Sequence, residues 1–137
     1  MRKQLDLLKA MFPDNEIIYE LDQDGNVIDL ILFCEQLKEL PKEIGLLTSL
    51  TSLDLEGNNL QELPKEIILL TNLRCLILSN NEFKEIPKEI EQLLQLRELY
   101  LDKNHFREFP EKIGRLEHYG NGHYKRSTNE YTIPRTI

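Results

Sequence analysis

The 137-residue sequence has no tryptophan and only two cysteines, Cys34 and Cys75. Two cysteines are too few for the disulfide frameworks that stabilise small secreted domains, and they form none of the spaced motifs that bind zinc. No apolar run approaches the roughly 18 residues of a membrane-spanning helix. These absences argue against a disulfide scaffold, a cysteine-based metal site and a membrane span.

The chain is also short of positive charge. It has 17 lysines and arginines against 24 aspartates and glutamates, a formal net charge of −7. Nucleic-acid-binding domains usually show clustered basic charge, so this balance argues against such a partner and is compatible with a basic one. A hydrophobic content of 40% and a charged content of 30% are typical of one globular domain.

Catalytic and metal-binding motifs are lacking as well. There is no glycine-rich phosphate loop, no nucleophile elbow and no pair of histidines at the spacing of a helical zinc site, since His105, His118 and His123 are poorly spaced for it. Asp22, Asp24 and Gly25 resemble part of a calcium loop, but Ile31 stands where the bidentate glutamate would be needed. We therefore predict a non-enzymatic protein with no cofactor and no metal site.

What the sequence does contain is a 23-residue repeat. Leu53, Leu76 and Leu99 are 23 residues apart, and Asn58, Asn81 and Asn104 follow in register. The same interval relates further sets, namely Leu50, Leu73, Leu96; Leu55, Leu78, Leu101; Pro64, Pro87, Pro110; and Ile67, Ile90, Ile113. Four units therefore run from Val27 to about His118.

Each unit has the pattern of a strand, a turn and a short helix. The last two leucines of Leu-x-x-Leu-x-Leu alternate with outward residues, as in a strand. The asparagine amide can satisfy backbone groups at the turn, and proline suits the first position of a helical turn. One unit cannot bury its apolar face alone, so the units must stack. We predict an α/β solenoid with a concave parallel sheet and short convex helices or 3₁₀ turns.

The pattern resembles the leucine-rich-repeat family, L-x-x-L-x-L-x-x-N-x-L. The segment Leu40-Pro41-Lys42-Glu43-Ile44 is more narrowly similar to the 23-residue class of leptospiral repeat proteins and of repeat proteins that associate with Ras-type GTPases. This resemblance implies a bacterial protein-interaction module, with a host protein as one candidate partner.

The two open ends of a solenoid need caps. Residues 1–26 read as an N-terminal cap: an amphipathic helix over residues 2–12, then a strand and an Asp-Gly hairpin turn leading into residue 27. Residues 27–118 hold the four repeats. Residues 119–137 read as a degraded fifth unit with tyrosines on apolar positions, or as a loose tail that reaches a neighbouring chain. Glu35 replaces the asparagine of the first unit, so the polar ladder is expected to begin at Asn58.

Outward strand positions should form one concave patch, because side chains alternate between core and solvent along a strand. Four of them, Ile31, Phe33, Ile77 and Tyr100, are apolar or aromatic. The full predicted protein-binding surface is Asp29, Ile31, Phe33, Asp54, Glu56, Cys75, Ile77, Glu98, Tyr100 and Asp102. If the fifth unit continued the repeat, Asn121, His123 and Lys125 would extend it beside Glu98, Tyr100 and Asp102 respectively.

The predicted function is binding of a partner protein, basic in character, through this concave face. The alternatives are a self-assembling or structural repeat protein and, last, an enzyme. The expected oligomeric state is a monomer or a weak self-association. Cys34 and Cys75 should lie too far apart for a disulfide. Free thiols and the lack of a recognisable signal peptide favour a cytoplasmic location, whereas the resemblance to leptospiral proteins implies a secreted or host-facing alternative.

Overall fold

The computed structural model describes residues 3–33 and 35–126. Its one α-helix in that part of the chain is α1 (Lys3–Met11). The strands are β1 (Ile18–Leu21), β2 (Val27–Ile31), β3 (Ser52–Asp54), β4 (Cys75–Ile77), β5 (Glu98–Tyr100), β6 (Lys112–Ile113), β7 (Leu116–His118) and β8 (His123–Arg126). All eight belong to one sheet, in the order β1-β2-β3-β4-β5-β8-β7-β6.

The central strands β2 to β5 are parallel and in the register of the repeat. Leu30, Leu53, Leu76 and Leu99 are neighbours across the four strands, and all four are 0% exposed. Full burial of one leucine contributes roughly 1.5–3 kcal/mol relative to exposure, and these leucines bury one another only because the units stack. The predicted concave parallel sheet is confirmed.

Three 3₁₀ helices cover the convex side: Lys42–Leu46, Lys65–Leu69 and Lys88–Gln92. Each begins directly after a proline, whose carbonyl accepts the first i→i+3 hydrogen bond, as from the Ile44 amide to Pro41 at 3.0 Å. Ile44, Ile67 and Ile90 point back into the core and are buried. In the first three units the repeat therefore places one short helix behind the turn, as predicted.

A helix and a hairpin close the N-terminal end. Leu8 of α1 and Phe12, directly after the helix, are buried in the core, and β1 pairs antiparallel with β2. The Asp22 carboxylate holds the hairpin turn by accepting hydrogen bonds from the amides of Asp24 and Asn26, both at 2.9 Å. These bonds, above all the one from Asn26, lower the pKa of Asp22 below its ordinary value. The acidic turn is therefore a structural hairpin turn.

Glu35 ties the first repeat to this cap. Its Oε1 accepts hydrogen bonds from the Asn15 side chain at 3.0 Å and the Glu16 amide at 3.3 Å. Its own amide donates to Asn58 Oδ1 at 3.0 Å. The polar ladder begins at Asn58, as the sequence predicted, and the glutamate at the equivalent position of the first unit bonds to the preceding segment.

The C-terminal end departs from the expected fifth parallel unit. β8 lies beside β5 but runs antiparallel to it, so Lys125 pairs with Glu98 and Tyr124 pairs with Leu99. The convex segment of the fourth unit is the hairpin β6–β7, which turns at Gly114 (φ 58°). The 23-residue register still places Ile113 and Leu116 in the core, but their backbone is strand. The expected positions of Asn121 beside Glu98 and Lys125 beside Asp102 are therefore wrong.

Glycines explain the reversal. The chain turns between β7 and β8 through Gly120, Asn121 and Gly122, all at positive φ. A Cβ on Gly122 would lie 2.8 Å from the Asp102 amide nitrogen, while the Gly122 carbonyl accepts the Leu101 amide at 2.8 Å. A leucine at this position, as the repeat requires, would not fit.

Aromatic rings fill the C-terminal end of the core. Tyr124 is 0% exposed and its hydroxyl donates to the Pro110 carbonyl at 2.6 Å. His118 stacks on it at 4.8 Å between centroids, and Phe109 lies 5.1 Å from His118. Cys34 and residues 127–137 lie outside the described residues, and with them the predicted Cys34–Cys75 separation and the eroded end of the fifth unit.

Candidate functional site

The concave face consists of three rows of side chains that run across the strands. A residue whose strand neighbours are buried leucines must point to the opposite face of the sheet. The first row is Glu20, Asp29, Ser52, Cys75, Glu98 and Lys125, and the second is Ile18, Ile31, Asp54, Ile77, Tyr100 and His123. The third row follows from the repeat and holds Phe33, Glu56, Ser79 and Asp102.

The structure brings the ten predicted surface residues together on this face. Nine of them are partly exposed, and the tenth, Phe33, is 52% exposed. Neighbouring strands lie about 4.8 Å apart, so side chains in a row contact their neighbours. The face is one continuous surface and mixes isoleucines with carboxylates.

At the C-terminal end of the face, Glu98, Tyr100 and His123 form a compact cluster. The rings of Tyr100 and His123 stack with 4.3 Å between centroids and 9° between planes. The Tyr100 hydroxyl donates to Glu98 Oε2 at 3.2 Å, and His123 Nε2 lies 3.3 Å from the same oxygen. Burial, and next the Glu98 charge, raise the pKa of Tyr100 above its ordinary value. Tyr100 is therefore held in place on the face by its own neighbours.

The third row is partly occupied by internal hydrogen bonds. The Ser79 hydroxyl is buried and donates to Asp102 Oδ1 at 2.5 Å. Asp54 Oδ1 accepts the Glu56 amide at 3.0 Å. These bonds hold Asp102 Oδ1 and Asp54 Oδ1 in place.

At the N-terminal end, two residues that the sequence-based surface omitted join the face. Ile18 lies opposite Ile31 and Glu20 lies opposite Asp29 in the β1–β2 pair. Ile18 is 63% exposed. The register of the predicted hairpin could have identified these two residues, because residues paired across two strands point to the same side of a sheet.

Cys75 lies at the centre of the first row. Burial, followed by the charges of Glu98 and Asp54, raises the pKa of its thiol to about 11. A thiol with such a pKa is almost fully protonated at neutral pH and is a poor nucleophile. Among residues 3–33 and 35–126, no group of three or more His, Cys, Asp or Glu side chains is arranged to hold a metal ion.

Beneath the face, the asparagine ladder holds adjacent units in register. Asn81 Nδ2 donates to the carbonyls of Leu55, Leu78 and Ser79 at 3.0–3.2 Å, and its Oδ1 accepts the Leu60 amide at 3.0 Å. Asn58 and Asn104 bond in the same way. The amide side chain supplies donors and an acceptor together, which the backbone turn needs at a site closed to water.

The comparisons with known proteins agree with this architecture. The model of the family described as leucine rich repeat matches residues 48–106. The units within residues 48–106 are leucine-rich repeats. The fold, a solenoid with a parallel sheet backed by 3₁₀ turns, is the one that the repeat pattern predicted.

A solved leucine-rich-repeat protein of Leptospira interrogans is 45% identical, with a TM-score of 0.51, over 56% of this chain and 19% of its own. The ectodomain of the receptor kinase SOBIR1 from Arabidopsis thaliana is 24% identical (TM-score 0.56), over 76% of this chain and 65% of its own. An internalin of Listeria monocytogenes is 22% identical (TM-score 0.54), over 78% and 32%. The last two show the fold alone.

The chain spans about a fifth of the leptospiral protein's length. No curated protein matches the sequence significantly. Within the described residues, no helix is both long and apolar enough to cross a bilayer.

Proposed function

We propose that the chain is a non-enzymatic interaction module that binds a partner protein through its concave face. Leucine-rich-repeat solenoids in general use such curved sheets as binding surfaces. The observation that carries the proposal is the exposure of Ile18 and Phe33 on the same face as Ile31 and Ile77, amid carboxylates. One exposed apolar residue on a strand is ordinary, whereas an apolar group rimmed by charge is typical of protein-binding surfaces.

The partner is basic at the contact surface. The three rows hold six carboxylates, on Glu20, Asp29, Asp54, Glu56, Glu98 and Asp102, and one lysine, Lys125. The Lys125 ammonium lies over the Tyr119 ring, 4.9 Å from its centroid. An uncompensated acidic face accelerates association with a cationic partner and disfavours acidic ones. The similarity to a leptospiral protein favours a bacterial origin, which makes a host protein one candidate partner.

The chemistry of the face supports the proposal that the module is non-enzymatic. The Cys75 thiol is the most nucleophilic kind of group on the face, and its pKa is raised to about 11. His123 contacts Glu98 and stacks on Tyr100, so it is positioned by that cluster. A binding surface does not require reactive groups, and these side chains contribute to its shape and charge.

The test is affinity capture with the immobilised chain, followed by measurement of the dissociation constant for any captured protein. The double substitution of Ile77→Ala and Tyr100→Ala should weaken binding by at least about tenfold, since buried apolar and aromatic anchors dominate interface energies. The matched control is Leu46→Ala with Leu69→Ala on the exposed convex side. Loss of binding in the control, with unchanged binding in the concave variant, would contradict the proposal.

Self-assembly is the second candidate function. It is favoured by β1, an edge strand that exposes 63% of Ile18 and 36% of Tyr19, because the edge of a sheet can pair with another chain. Light scattering over a concentration series tests it. Growth of mass with concentration, abolished by Tyr19→Lys, would support assembly, and a constant monomer mass would exclude it.

A further inference from the structure

The first half of the concave face carries an open hollow whose chemistry defines what can occupy it. Its lining includes three isoleucines and three carboxylates, from Ile18, Ile31, Ile77, Glu20, Asp29 and Asp54. The isoleucines come from the second row and two of the carboxylates from the first. Apolar and anionic surface therefore lie side by side, two residues apart along each strand.

The carboxylates of this hollow lack internal cations. Glu20 and Asp29 are directly opposite each other in the β1–β2 register, an arrangement in which like charges destabilise the strand pair. Neither forms an ion pair with a cation of the described residues, and neither does Asp54, the third carboxylate of the hollow. A cation placed between Glu20 and Asp29 would relieve their repulsion.

The other half of the face is different. Glu98 receives the Tyr100 hydroxyl at 3.2 Å and lies 3.3 Å from His123 Nε2. Asp102 receives the Ser79 hydroxyl. The carboxylates there already have hydrogen-bond partners from the chain itself. An external cation would therefore be bound mainly by the carboxylates of the N-terminal half.

The spacing of the rows sets the direction and pattern of the occupant. Asp29 and Ile31 are two positions apart along β2, a distance of about 6.6 Å. Alternate side chains of an extended peptide that point to one side have the same spacing. Neighbouring strands are only about 4.8 Å apart, a distance that does not match. An extended segment lying along the strand direction can therefore place one side chain over the carboxylates and the next on the same side over the isoleucines.

We propose that the hollow binds an extended peptide segment of a partner protein in which a lysine or arginine lies two residues from an isoleucine, leucine or valine. The cationic side chain sits between Glu20 and Asp29, and the aliphatic side chain packs on Ile31 with Ile18 and Ile77 beside it. This inference rests on the proposed function, which it deepens by naming the recognised pattern and the half of the face that reads it.

The test uses blocked, fluorescein-labelled heptapeptides and the full chain, with anisotropy as the readout. The central residues are Lys-Thr-Ile, its reversal Ile-Thr-Lys, the adjacent order Lys-Ile-Thr, and the charge-reversed Glu-Thr-Ile, each flanked by glycine and serine. One of the first two should bind at least about tenfold more tightly than either of the others. Asp29→Asn should weaken that binding about fivefold, and so should an increase in salt from about 0.05 M to about 0.5 M.

Two variants serve as controls. Glu43→Gln removes an exposed charge on the convex side, and Glu98→Gln removes one in the other half of the concave face; both should change the affinity less than twofold. Equal binding of all four peptides, no binding of any, or a larger effect of Glu98→Gln than of Asp29→Asn would overturn the inference. In each case the proposed function stands or falls separately, by the capture experiment with the Ile77 and Tyr100 substitutions.

Discussion

The ring of Tyr100 lies flat against that of His123, with 4.3 Å between centroids and 9° between planes. The two residues come from strands that run in opposite directions, β5 and β8. Through this contact and the shared Glu98 oxygen, the C-terminal hairpin becomes part of the concave face. The cap therefore does two things, closing the core and shaping the surface.

We expect His123→Ala to lower the free energy of unfolding by about 1 kcal/mol, because it removes an aromatic stack and a contact with Glu98. Urea denaturation measures the change. His105→Ala is the matched control, since His105 is exposed and its ring lies 2.9 Å from Glu82 Oε1; its effect should stay within about 0.5 kcal/mol. Equal effects of the two substitutions would show that the stack contributes nothing.

The asparagine ladder should be costly to break. Asn81→Ala removes the acceptor of the Leu60 amide and one of the hydrogen bonds that each of three carbonyls accepts, and each lost buried bond costs about 1 kcal/mol or more. We expect a loss of about 3 kcal/mol in urea denaturation. Asn72→Ala, which removes one exposed bond to the Thr48 carbonyl, should change stability by less than about 0.5 kcal/mol. A similar loss from both would contradict the ladder's structural role.

The stability of the fold should fall at high pH through Tyr124. Burial raises the pKa of its hydroxyl from 10.0 to about 12, so the folded state favours the protonated form. Its contribution is fully present below about pH 10, the value for the unfolded chain, and is lost as pH rises towards 12.

Denaturation of the wild type and of Tyr124→Phe at a series of pH values tests this prediction. The difference between them should shrink between pH 10 and 12, since phenylalanine cannot ionise. Tyr119→Phe, at a residue 51% exposed, should follow the wild type throughout. A difference that is constant with pH would refute the assignment to Tyr124.

Cys75 should react slowly with alkylating reagents. Its pKa of about 11 leaves less than about 1% thiolate at pH 8, and the thiolate is the reactive form. In a Cys34→Ser variant, where Cys75 is the remaining thiol, we expect iodoacetamide to react at least about tenfold more slowly than with free cysteine. In urea the two rates should converge. Fast reaction of the folded variant would show that the thiol is not held in its protonated form.

Much of the fold was predictable because the repeat encodes it directly. Leu53, Leu76 and Leu99 share one register, and a stack of identical units has one geometry that buries them all. The turn at Asp22 was equally readable, since Asp-Gly between apolar runs favours a hairpin. Local chemistry and the global fold indicate the same structure at these positions.

The C-terminal hairpin was not predictable in the same way. Tyr124 falls on an apolar position of the repeat in either strand direction, so its burial does not reveal the direction. The reversal depends on Gly120 and Gly122, at φ 106° and 79°, and on the close approach of Gly122 to the backbone of Asp102 in the fourth unit. His123, by contrast, lies beside Tyr100, as the repeat predicted, because this pairing is the same in either strand direction.

The measurement that tests the central claim most directly is chemical-shift mapping of the isotope-labelled chain with its captured partner. Binding through the concave face should perturb the amides of β1 to β5, with the largest changes around Asp29, Ile31 and Ile77. The amides of the 3₁₀ helices Lys42–Leu46 and Lys65–Leu69 should move little. Perturbations confined to those convex helices, with β2 to β5 unchanged, would contradict the account.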